Sequence, residues 1–380
     1  MNESELPQNP YVLLTPGPLS TTPSVKAAML RDWCTWDDDY NSIVQDIRAR
    51  LVALAAGPSD SAHTAVLMQG SGTFCVEATL GTAVPPEGKL LVLANGAYGE
   101  RMALIAGRLS LDFDVLSFPE TEAVDPVRLQ ARLDADHSIS HVAMVHCETT
   151  TGILNPLEEV ARVVGEGGRR FIVDAMSSFG GMPLDVESLG IDYLVSSANK
   201  CIQGVPGFGF VIARRTALEQ CEGNARSLSL DLYDQWKTME HDNGKWRFTS
   251  PTHVVRAFAV ALRELEEEGG VPARHARYCA NHKVLVEGMT GLRFRCLLEE
   301  RLRSPFITSF HEPTEEGYSF GRFYAELKRR GFVIYPGKVS RARTFRIGTI
   351  GDVHPSTILS LIEAVRLSMS WVPAAAPAGA

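Results

Sequence analysis

Apolar runs of five to seven residues recur between residues 64 and 213, and the segments between them carry apolar residues at helical spacing. This alternation is typical of βαβ units, in which helices cover a mostly parallel sheet. The pattern therefore predicts an α/β fold whose large domain contains a mostly parallel seven-stranded sheet. The predicted strands lie at residues 65–69, 89–94, 113–118, 141–146, 170–175, 192–197 and 207–213.

The pattern changes after residue 250. A long helix over residues 254–268 ends at Gly269 and Gly270, and shorter elements follow, which predicts a smaller C-terminal α+β domain. Its predicted strands lie near residues 293–297, 306–311, 332–335 and 344–348. We expect an N-terminal segment at 1–20 that packs on the small domain, a large domain at 21–268, the small domain at 269–372 and a disordered tail at 373–380.

Composition and charge disfavour several classes of partner. The net charge is −8 and no block of lysine or arginine stands out, which argues against a nucleic-acid or anionic-membrane surface. Acidic residues stand where a secretory signal needs basic ones, and no apolar run is long enough to span a membrane, so we expect a cytoplasmic protein. The 7 cysteines are odd in number and include no CxxC pair, which argues against a disulfide framework and a zinc site.

Three polar features follow predicted strands. Ser71, Gly72 and Thr73 lie between the first strand and a helix, where free backbone N–H groups form either an anion cradle or a plain tight turn. Asp174 ends a strongly apolar strand and needs a cation or several donors, unless it only caps a turn. Lys200 follows the next strand, where a solvated loop lysine is the alternative.

Ligands of open parallel sheets bind beyond the carboxyl ends of the strands, so these features are expected to meet at one site. The sequence lacks the GxxxxGK[ST] and GxGxxG patterns, which disfavours ATP and dinucleotides. Pyridoxal 5′-phosphate needs a lysine for its imine, a carboxylate for its ring nitrogen and an anion site for its phosphate. The combination therefore favours this cofactor.

Long and specific stretches run in order from about residue 11 to residue 372: "LLTPGPL", "CTWDDDYN", "LMQGSGTFCVEATLG", "NGAYGERM", "AMVHCETTTGILNP", "FIVDAMSSFGG", "SSANKCIQGVPGFGFVIAR", "RSLSLDLYDQW", "GKWRFTSPTH", "GFVIYPGKVS" and "FRIGTIG". In these stretches the chain resembles the class V, fold-type-I aminotransferases that depend on pyridoxal 5′-phosphate. Within the class the likeness is greatest to enzymes of phosphonate catabolism that transfer the amino group of an aminophosphonate to pyruvate.

The resemblance implies roles for individual residues. Lys200 is similar to the Schiff-base lysine and Asp174 to the carboxylate that faces the pyridinium nitrogen. A site shared between two subunits implies a homodimer with a two-fold axis. The other implied cofactor contacts are Ser71, Gly72, Thr73 and Asn199 at the phosphate, Tyr98 and Met176 on the two faces of the ring, Thr151 (with Thr150 as the alternative) at its phenolic oxygen, and Thr249 at the phosphate from the neighbouring subunit.

The same resemblance assigns the substrate's anionic group to Arg346, because a bidentate guanidinium suits a carboxylate and a phosphonate alike. Arg341 and Arg343 are nearby competitors that we expect to be solvated. The acids at 37–39 are interpreted as loop-ordering or helix-capping residues, since they would repel a phosphonate in the site. Of the 10 histidines, His146 is the best candidate for a place near the cofactor, although a structural role is favoured.

Other functions remain open from sequence alone, because a fold does not determine a reaction. Within the same cofactor chemistry, the scaffold suits alanine–glyoxylate or serine–pyruvate exchange, or a lyase that acts on a hydroxylated aminophosphonate. Outside it, the chain could be a non-catalytic α/β binding module or an enzyme of phosphorylated sugars, with Lys200 as a phosphate contact.

Overall fold

The computed structural model describes residues 9–339 and 341–371, and within them no helix is both long and apolar enough to cross a membrane. The strands, in chain order, are β1 Val12–Leu13, β2 His63–Gln69, β3 Lys89–Ala94, β4 Asp112–Ser117, β5 Ile139–Val145, β6 Cys147–Glu148, β7 Ile153–Leu154, β8 Arg170–Asp174, β9 Tyr193–Ser197, β10 Phe208–Arg214, β11 Ile307–His311, β12 Phe332–Val333, β13 Tyr335–Pro336 and β14 Thr344–Gly348. The α-helices are α1 Pro23–Ala27, α2 Asp38–Ala56, α3 Gly72–Ala83, α4 Ala97–Arg108, α5 Pro126–Ala135, α6 Leu157–Glu166, α7 Arg215–Glu219, α8 Leu232–His241, α9 Thr252–Glu267, α10 Gly270–Gly291, α11 Phe320–Arg329 and α12 Pro355–Ser368.

Seven strands form the central sheet in the order β2-β10-β9-β8-β5-β3-β4. Only β10 among them runs opposite to the direction of the other six strands, so the predicted mostly parallel seven-stranded sheet is confirmed. All of β9 is buried, whereas burial in the edge strand β4 is only partial. Helices cover both faces of the inner strands, which explains their continuous apolar runs.

The parallel strands end at one edge of this sheet, as the site prediction requires. The chain leaves β2 towards Ser71, leaves β8 at Asp174 and leaves β9 towards Lys200. Because β2 and β9 are both antiparallel to β10, they point in the same direction as each other. The turns that carry the three predicted features therefore face the same side of the sheet.

A second cluster of buried apolar side chains lies outside the central sheet. It is built mainly from residues 285–365, around the three-stranded sheet β11-β14-β13. Leu14 belongs to this cluster, and the adjacent β1 pairs in parallel with β12. The domain limits at 20, 268 and 372 stay a prediction. The tail at 373–380 and the first eight residues lie outside the described part of the chain.

Two expectations for the C-terminal third are wrong. Residues 293–297 do not form a strand: they contribute only an isolated bridge between Cys296 and Phe310, because the chain reverses at Arg293 with φ 67°. The elements after the glycine pair are also not all short, since α10 has 22 residues. Its buried stripe includes Arg274 and Asn281, and these polar residues conceal the helical periodicity.

The acids at 37–39 lie at the beginning of α2, as the helix-capping interpretation of the sequence suggested. Asp37 is the N-cap residue of this 19-residue helix, and Asp38 and Asp39 lie in its first turn. Negative charge is favoured there because the first N–H groups and the helix dipole are positive. The side chain of Asp37 makes no capping hydrogen bond, so the stabilisation comes from charge rather than from a direct contact.

Helix α10 also fixes the loop that follows Lys200. Arg274 is fully buried, donates from Nη1 to the Cys201 carbonyl at 2.7 Å and from Nε to Glu268 at 2.5 Å. Tyr278 donates its hydroxyl to the same carbonyl at 3.2 Å. The position of the lysine loop therefore depends on contacts from a helix that lies more than 70 residues further along the chain.

We expect Arg274→Met to lower the free energy of unfolding by about 2 kcal/mol, because it removes two buried hydrogen bonds and leaves only Tyr278 at the Cys201 carbonyl and only Arg277 at Glu268. Urea unfolding followed by circular dichroism measures the change. The control is Arg301→Met, which removes an exposed arginine paired with Glu299 and should cost less than about 0.5 kcal/mol. A loss for Arg274→Met as small as that of the control would contradict the prediction.

Candidate active site

A cavity of about 200 Å³ lies at the carboxyl edge of the central sheet. It brings together eight of the residues that the sequence assigned to the site, and its lining also includes Val76, Arg101, Met102 and Ser197. The eight predicted residues are Ser71, Gly72, Thr73, Tyr98, Asp174, Met176, Asn199 and Lys200.

The beginning of α3 offers unpaired donors to this cavity. Ser71 is the N-cap residue, and its side chain makes no capping hydrogen bond. The first backbone N–H groups of a helix have no acceptor within the helix, and at this end they carry partial positive charge. A Cβ atom on Gly72 would overlap Sδ of Met176, so a glycine is needed where the turn and the methionine meet. The turn is suited to bind an anion.

Lys200 is held in an environment that disfavours its charged form. Its Nζ donates to the Pro16 carbonyl at 2.6 Å. Burial lowers the pKa of Lys200, and the negative charge of Asp174 acts in the opposite direction. Gly17 has φ 117°, and a Cβ atom there would lie 2.8 Å from Nζ. The amine is therefore closely packed and is shifted towards its neutral form.

Asp174 is a buried carboxyl group at the end of β8. Its Oδ1 accepts a hydrogen bond from the Met176 backbone N–H at 2.8 Å. Burial raises the pKa of Asp174 to about 6, the charge of Glu148 adds to this effect, and Lys200 and Arg101 oppose it. Above that pH the group is a carboxylate with little compensation nearby, which favours a cationic ligand in the cavity.

Glu148 is a further buried acid, and sequence reasoning missed it. Its carboxylate accepts from the backbone N–H groups of Tyr98, Gly99 and Thr150 at 3.0–3.2 Å. Burial raises its pKa. These contacts hold the beginning of α4 and thereby place Tyr98 beside the cavity. The feature of the sequence that could have indicated Glu148 is an acidic residue after an apolar strand, in "CETTTG".

The two candidate threonines have different surroundings, and neither is part of the cavity lining described above. Thr150 Oγ1 accepts from the Ala97 backbone N–H at 3.0 Å, so it also supports α4. Thr151 Oγ1 is buried without a hydrogen-bond partner among the described residues, in a small void beside Thr308 and Ser309. The hydroxyl of Thr151 is thus unpaired but does not face the cavity, and its contact with the cofactor stays a prediction.

Arg346 lies on β14 and is buried. It donates from Nε to the Pro336 carbonyl at 3.0 Å and from Nη1 to the Thr149 carbonyl at 2.7 Å. Burial lowers its pKa, and among the described residues it makes no ion pair with a carboxylate. Arg343 instead pairs with Glu312 and is 80% exposed, which confirms the expectation that it is solvated.

Two cations that the sequence did not indicate lie around Tyr98. Arg101 donates from Nη1 to Thr73 Oγ1 at 3.2 Å, and its Cζ lies 4.8 Å from the centroid of the Tyr98 ring. Lys338 Nζ lies 4.3 Å from the same centroid. Arg101 follows Tyr98 by one helical turn, which was a usable signal, whereas Lys338 arrives from a distant loop.

Thr249 and His146 do not line the cavity. Thr249 is exposed, and its carbonyl accepts a hydrogen bond from the Gln69 side chain. His146 lines a separate groove of about 660 Å³ on the side of Leu54 and Leu184, and burial lowers its pKa to about 4. The structural interpretation of His146 therefore fits its position, and the contact of Thr249 with another subunit stays a prediction.

Comparison with known proteins gives one consistent answer. A family model described as aminotransferase class-V matches residues 24–328. The 2-aminoethylphosphonate–pyruvate transaminase of Syntrophobacter fumaroxidans is 64% identical over 369 residues, which cover 97% of this chain and 99% of the relative. The 2-aminoethylphosphonate–pyruvate transaminase of Phocaeicola vulgatus is 62% identical over 358 residues, which cover 94% of this chain and 98% of the relative. The crystal structure of ureidoglycine–glyoxylate aminotransferase from Bacillus subtilis superposes with a TM-score of 0.89 at 22% identity, covering 99% of this chain and 97% of that one, which is a likeness of fold.

The raised pKa of Asp174 predicts a pH-dependent stability of the ligand-free protein. Since its pKa is 3.8 when unperturbed and about 6 in the fold, its stabilising contribution is complete below pH 3.8 and is lost as the pH rises through about 6. Asp174→Asn cannot titrate and can still accept from the Met176 N–H. We expect its unfolding free energy to exceed that of the wild type at neutral pH by about 3 kcal/mol, with the difference becoming small near pH 4.

Urea unfolding of the ligand-free proteins between pH 4 and 8 measures this difference at about half-unit steps. The control is Asp242→Asn, at an exposed position that is distant in sequence from the cavity-lining segments. It should leave the pH dependence of stability unchanged. An Asp174→Asn curve parallel to that of the wild type would show that the buried carboxyl group does not govern this transition.

Proposed function

The chain belongs to the class V aminotransferase family and is an aminotransferase, and on that basis we propose that it uses pyridoxal 5′-phosphate to transfer the amino group of 2-aminoethylphosphonate to pyruvate. The products are phosphonoacetaldehyde and L-alanine, which makes the reaction a step of phosphonate catabolism. The names of the two relatives, matched over nearly their whole length, support the substrates. The observation that carries the proposal is the meeting of Lys200, Asp174 and the first turn of α3 in one cavity.

The residues that line the cavity suit three parts of the cofactor: its phosphate, its ring nitrogen and the carbon to which an amine attaches. The free N–H groups of the α3 turn, with Arg101 beside Thr73, suit the phosphate. Asp174 suits a protonated ring nitrogen because its burial leaves it in need of a cation. Lys200 supplies the primary amine for attachment. When bound, the cofactor supplies an electron sink that stabilises negative charge on the carbon bearing the amino group.

The proton transfers fall to Lys200. A base must be unprotonated to act, and burial lowers the pKa of this amine towards the range in which it can take and return a proton. The Pro16 carbonyl, 2.6 Å from Nζ, accepts a hydrogen bond from one N–H of the amine and so fixes its direction. The other N–H and the lone pair of the neutral amine stay free. Nζ of Lys200 is therefore the group that removes the proton from the substrate carbon bearing nitrogen.

Arg346 holds the anionic group of each substrate in turn. Its Nε and Nη1 already donate to main-chain carbonyls, so the guanidinium plane is fixed while Nη2 makes no hydrogen bond among the described residues. Desolvation of an unpaired guanidinium is costly, and an arriving phosphonate or carboxylate relieves that cost. One fixed cation thus serves both the amino donor and the keto acid.

The proposal includes a homodimer in which Thr249 of one subunit reaches the phosphate site of the other. Thr249 is exposed and lies next to Phe248, which is 45% exposed, and Phe74 beside the α3 turn is 50% exposed. Such apolar surface around a site is a common feature of subunit interfaces. A cytoplasmic location is part of the same proposal.

Mixing the protein with 2-aminoethylphosphonate in the absence of a keto acid tests the reaction. We expect about one phosphonoacetaldehyde per active site with loss of the visible absorbance of the bound cofactor, and recovery of that absorbance with one L-alanine when pyruvate is added. Lys200→Ala should lower turnover by a factor of about 10³ or more, since it loses both the attachment point and the base.

The alternative functions give different outcomes in the same experiment. Continued turnover with release of ammonia and unchanged absorbance would replace the proposal with a lyase. Bleaching by alanine or serine alone, with no response to the aminophosphonate, would assign a carboxylate-specific aminotransferase. Absence of any cofactor absorbance would favour a binding protein or an enzyme of phosphorylated sugars.

Hybrid dimers test the role of Thr249. Lys200→Ala and Thr249→Asp should each inactivate the homodimer, the second by placing a negative charge beside the phosphate. If Thr249 acts across the interface, refolding the two variants together creates hybrids with one intact site, and about a quarter of the wild-type activity returns. No gain on mixing, with hybrids verified by differential tags, would place Thr249 in the site of its own subunit.

A further inference from the structure

The site carries more positive charge than its assigned roles need. Arg101, Lys338 and Arg346 act on one another or on Asp174 electrostatically, whereas Lys200 is shifted towards its neutral form. The buried acids close to these cations are Asp174 and Glu148. In the described part of the chain, Arg101, Lys338 and Arg346 form no salt bridge with a carboxylate. A buried guanidinium without a carboxylate partner is costly to desolvate, so these cations favour the binding of an anion.

These cations form two groups, because Arg101 lines the cavity and Lys338 and Arg346 do not. Arg101 donates to Thr73 Oγ1 and so belongs to the phosphate cradle. Arg346 pairs in register with Tyr335 of β13 and donates to the Pro336 carbonyl, and Lys338 follows two residues later. Strand β13 therefore brings the ammonium group to the side on which the guanidinium is fixed.

The two cations also differ in mobility. Arg346 is buried and held by two main-chain carbonyls, whereas Lys338 is exposed, and its only described contact is with the face of the Tyr98 ring at 4.3 Å. A cation–π contact at an exposed site is weak, of the order of 1 kcal/mol. The ammonium group can therefore leave the ring for a better partner at small cost.

We propose that Lys338 is a specificity-determining residue, whose ammonium group joins Arg346 in binding a substrate phosphonate and thereby favours the aminophosphonate over carboxylate amino acids. A carboxylate has one charge and two oxygens, which one guanidinium satisfies. A phosphonate dianion has a second charge and a third oxygen, which require another donor. This inference rests on the proposed function and identifies the part of the site that separates its two substrates.

The test compares two anions and two amino donors in the holoenzyme. Calorimetry measures the binding of ethylphosphonate and of propionate, and single-turnover kinetics measures the half-reactions with 2-aminoethylphosphonate and with L-alanine. We expect Lys338→Met to weaken ethylphosphonate binding and to lower kcat/KM for the aminophosphonate by about tenfold, and to change the propionate and alanine values by less than about threefold. Lys338→Arg should retain most of the preference, because it keeps the charge.

A matched control is available in Lys328, an exposed lysine whose Nζ lies 5.4 Å from the centroid of the Tyr11 ring. Lys328→Met removes the same kind of lysine–tyrosine contact from a surface whose residues do not line the cavity, and it should change none of the four values. Equal losses for phosphonate and carboxylate in Lys338→Met, or no loss for either, would overturn the inference. If the wild type fails to react with 2-aminoethylphosphonate, the proposed function is wrong, and the calorimetric comparison alone then decides the role of Lys338.

Discussion

The Lys200 side chain lies where burial disfavours its ammonium form, and most of the site can be understood from the need to keep that amine neutral and in place. Its one described acceptor is the Pro16 carbonyl, which comes from a segment 184 residues away in sequence. On the other side, the Gln203 backbone N–H donates to the Lys200 carbonyl at 2.7 Å, and the Gln203 side chain reaches Tyr278 and Gly351. The lysine is thus fixed by parts of the chain that meet only in the complete fold, so its reactivity depends on the packing of the two apolar clusters.

The two buried acids of the site, when ionised, require groups that compensate their negative charge. Asp174 and Glu148 both have a raised pKa because of burial, and the charge of Glu148 raises the pKa of Asp174 further. Glu148 is compensated by three backbone N–H groups that begin α4 and the turn at Thr150, so its charge is used to position Tyr98. Asp174 accepts a hydrogen bond from one backbone N–H, that of Met176, so its negative charge is less well compensated than that of Glu148. That difference explains why one acid supports the structure while the other is available to a cationic ligand.

The sequence predicted the sheet and much of the site because both depend on local order along the chain. Buried parallel strands give continuous apolar runs, and the turns after β2, β8 and β9 carry the donors, the acid and the amine. Contacts between residues that are far apart along the chain leave weaker signals in the sequence. Lys338 reaches Tyr98 from 240 residues away, and the pattern of α10 was hidden because Arg274 and Asn281 replace apolar residues on its buried side. The strand predicted at 293–297 was wrong for a different reason. The chain reverses at Arg293, and only Cys296 forms a bridge to a neighbouring strand.

The charge of the whole molecule limits how an anionic substrate can be recognised. With a net charge of −8, the field at long range repels a phosphonate, so the attraction must come from groups in direct contact with it. Arg346 and Lys338, to which the proposals assign that attraction, differ in kind, because Arg346 is buried and held by two carbonyls while Lys338 is exposed. A rigid cation alone would bind the carboxylate and the phosphonate by the same contacts. Discrimination between them therefore requires a second cation that engages only when the additional charge is present, and the loop after β13 places Lys338 where it can do so.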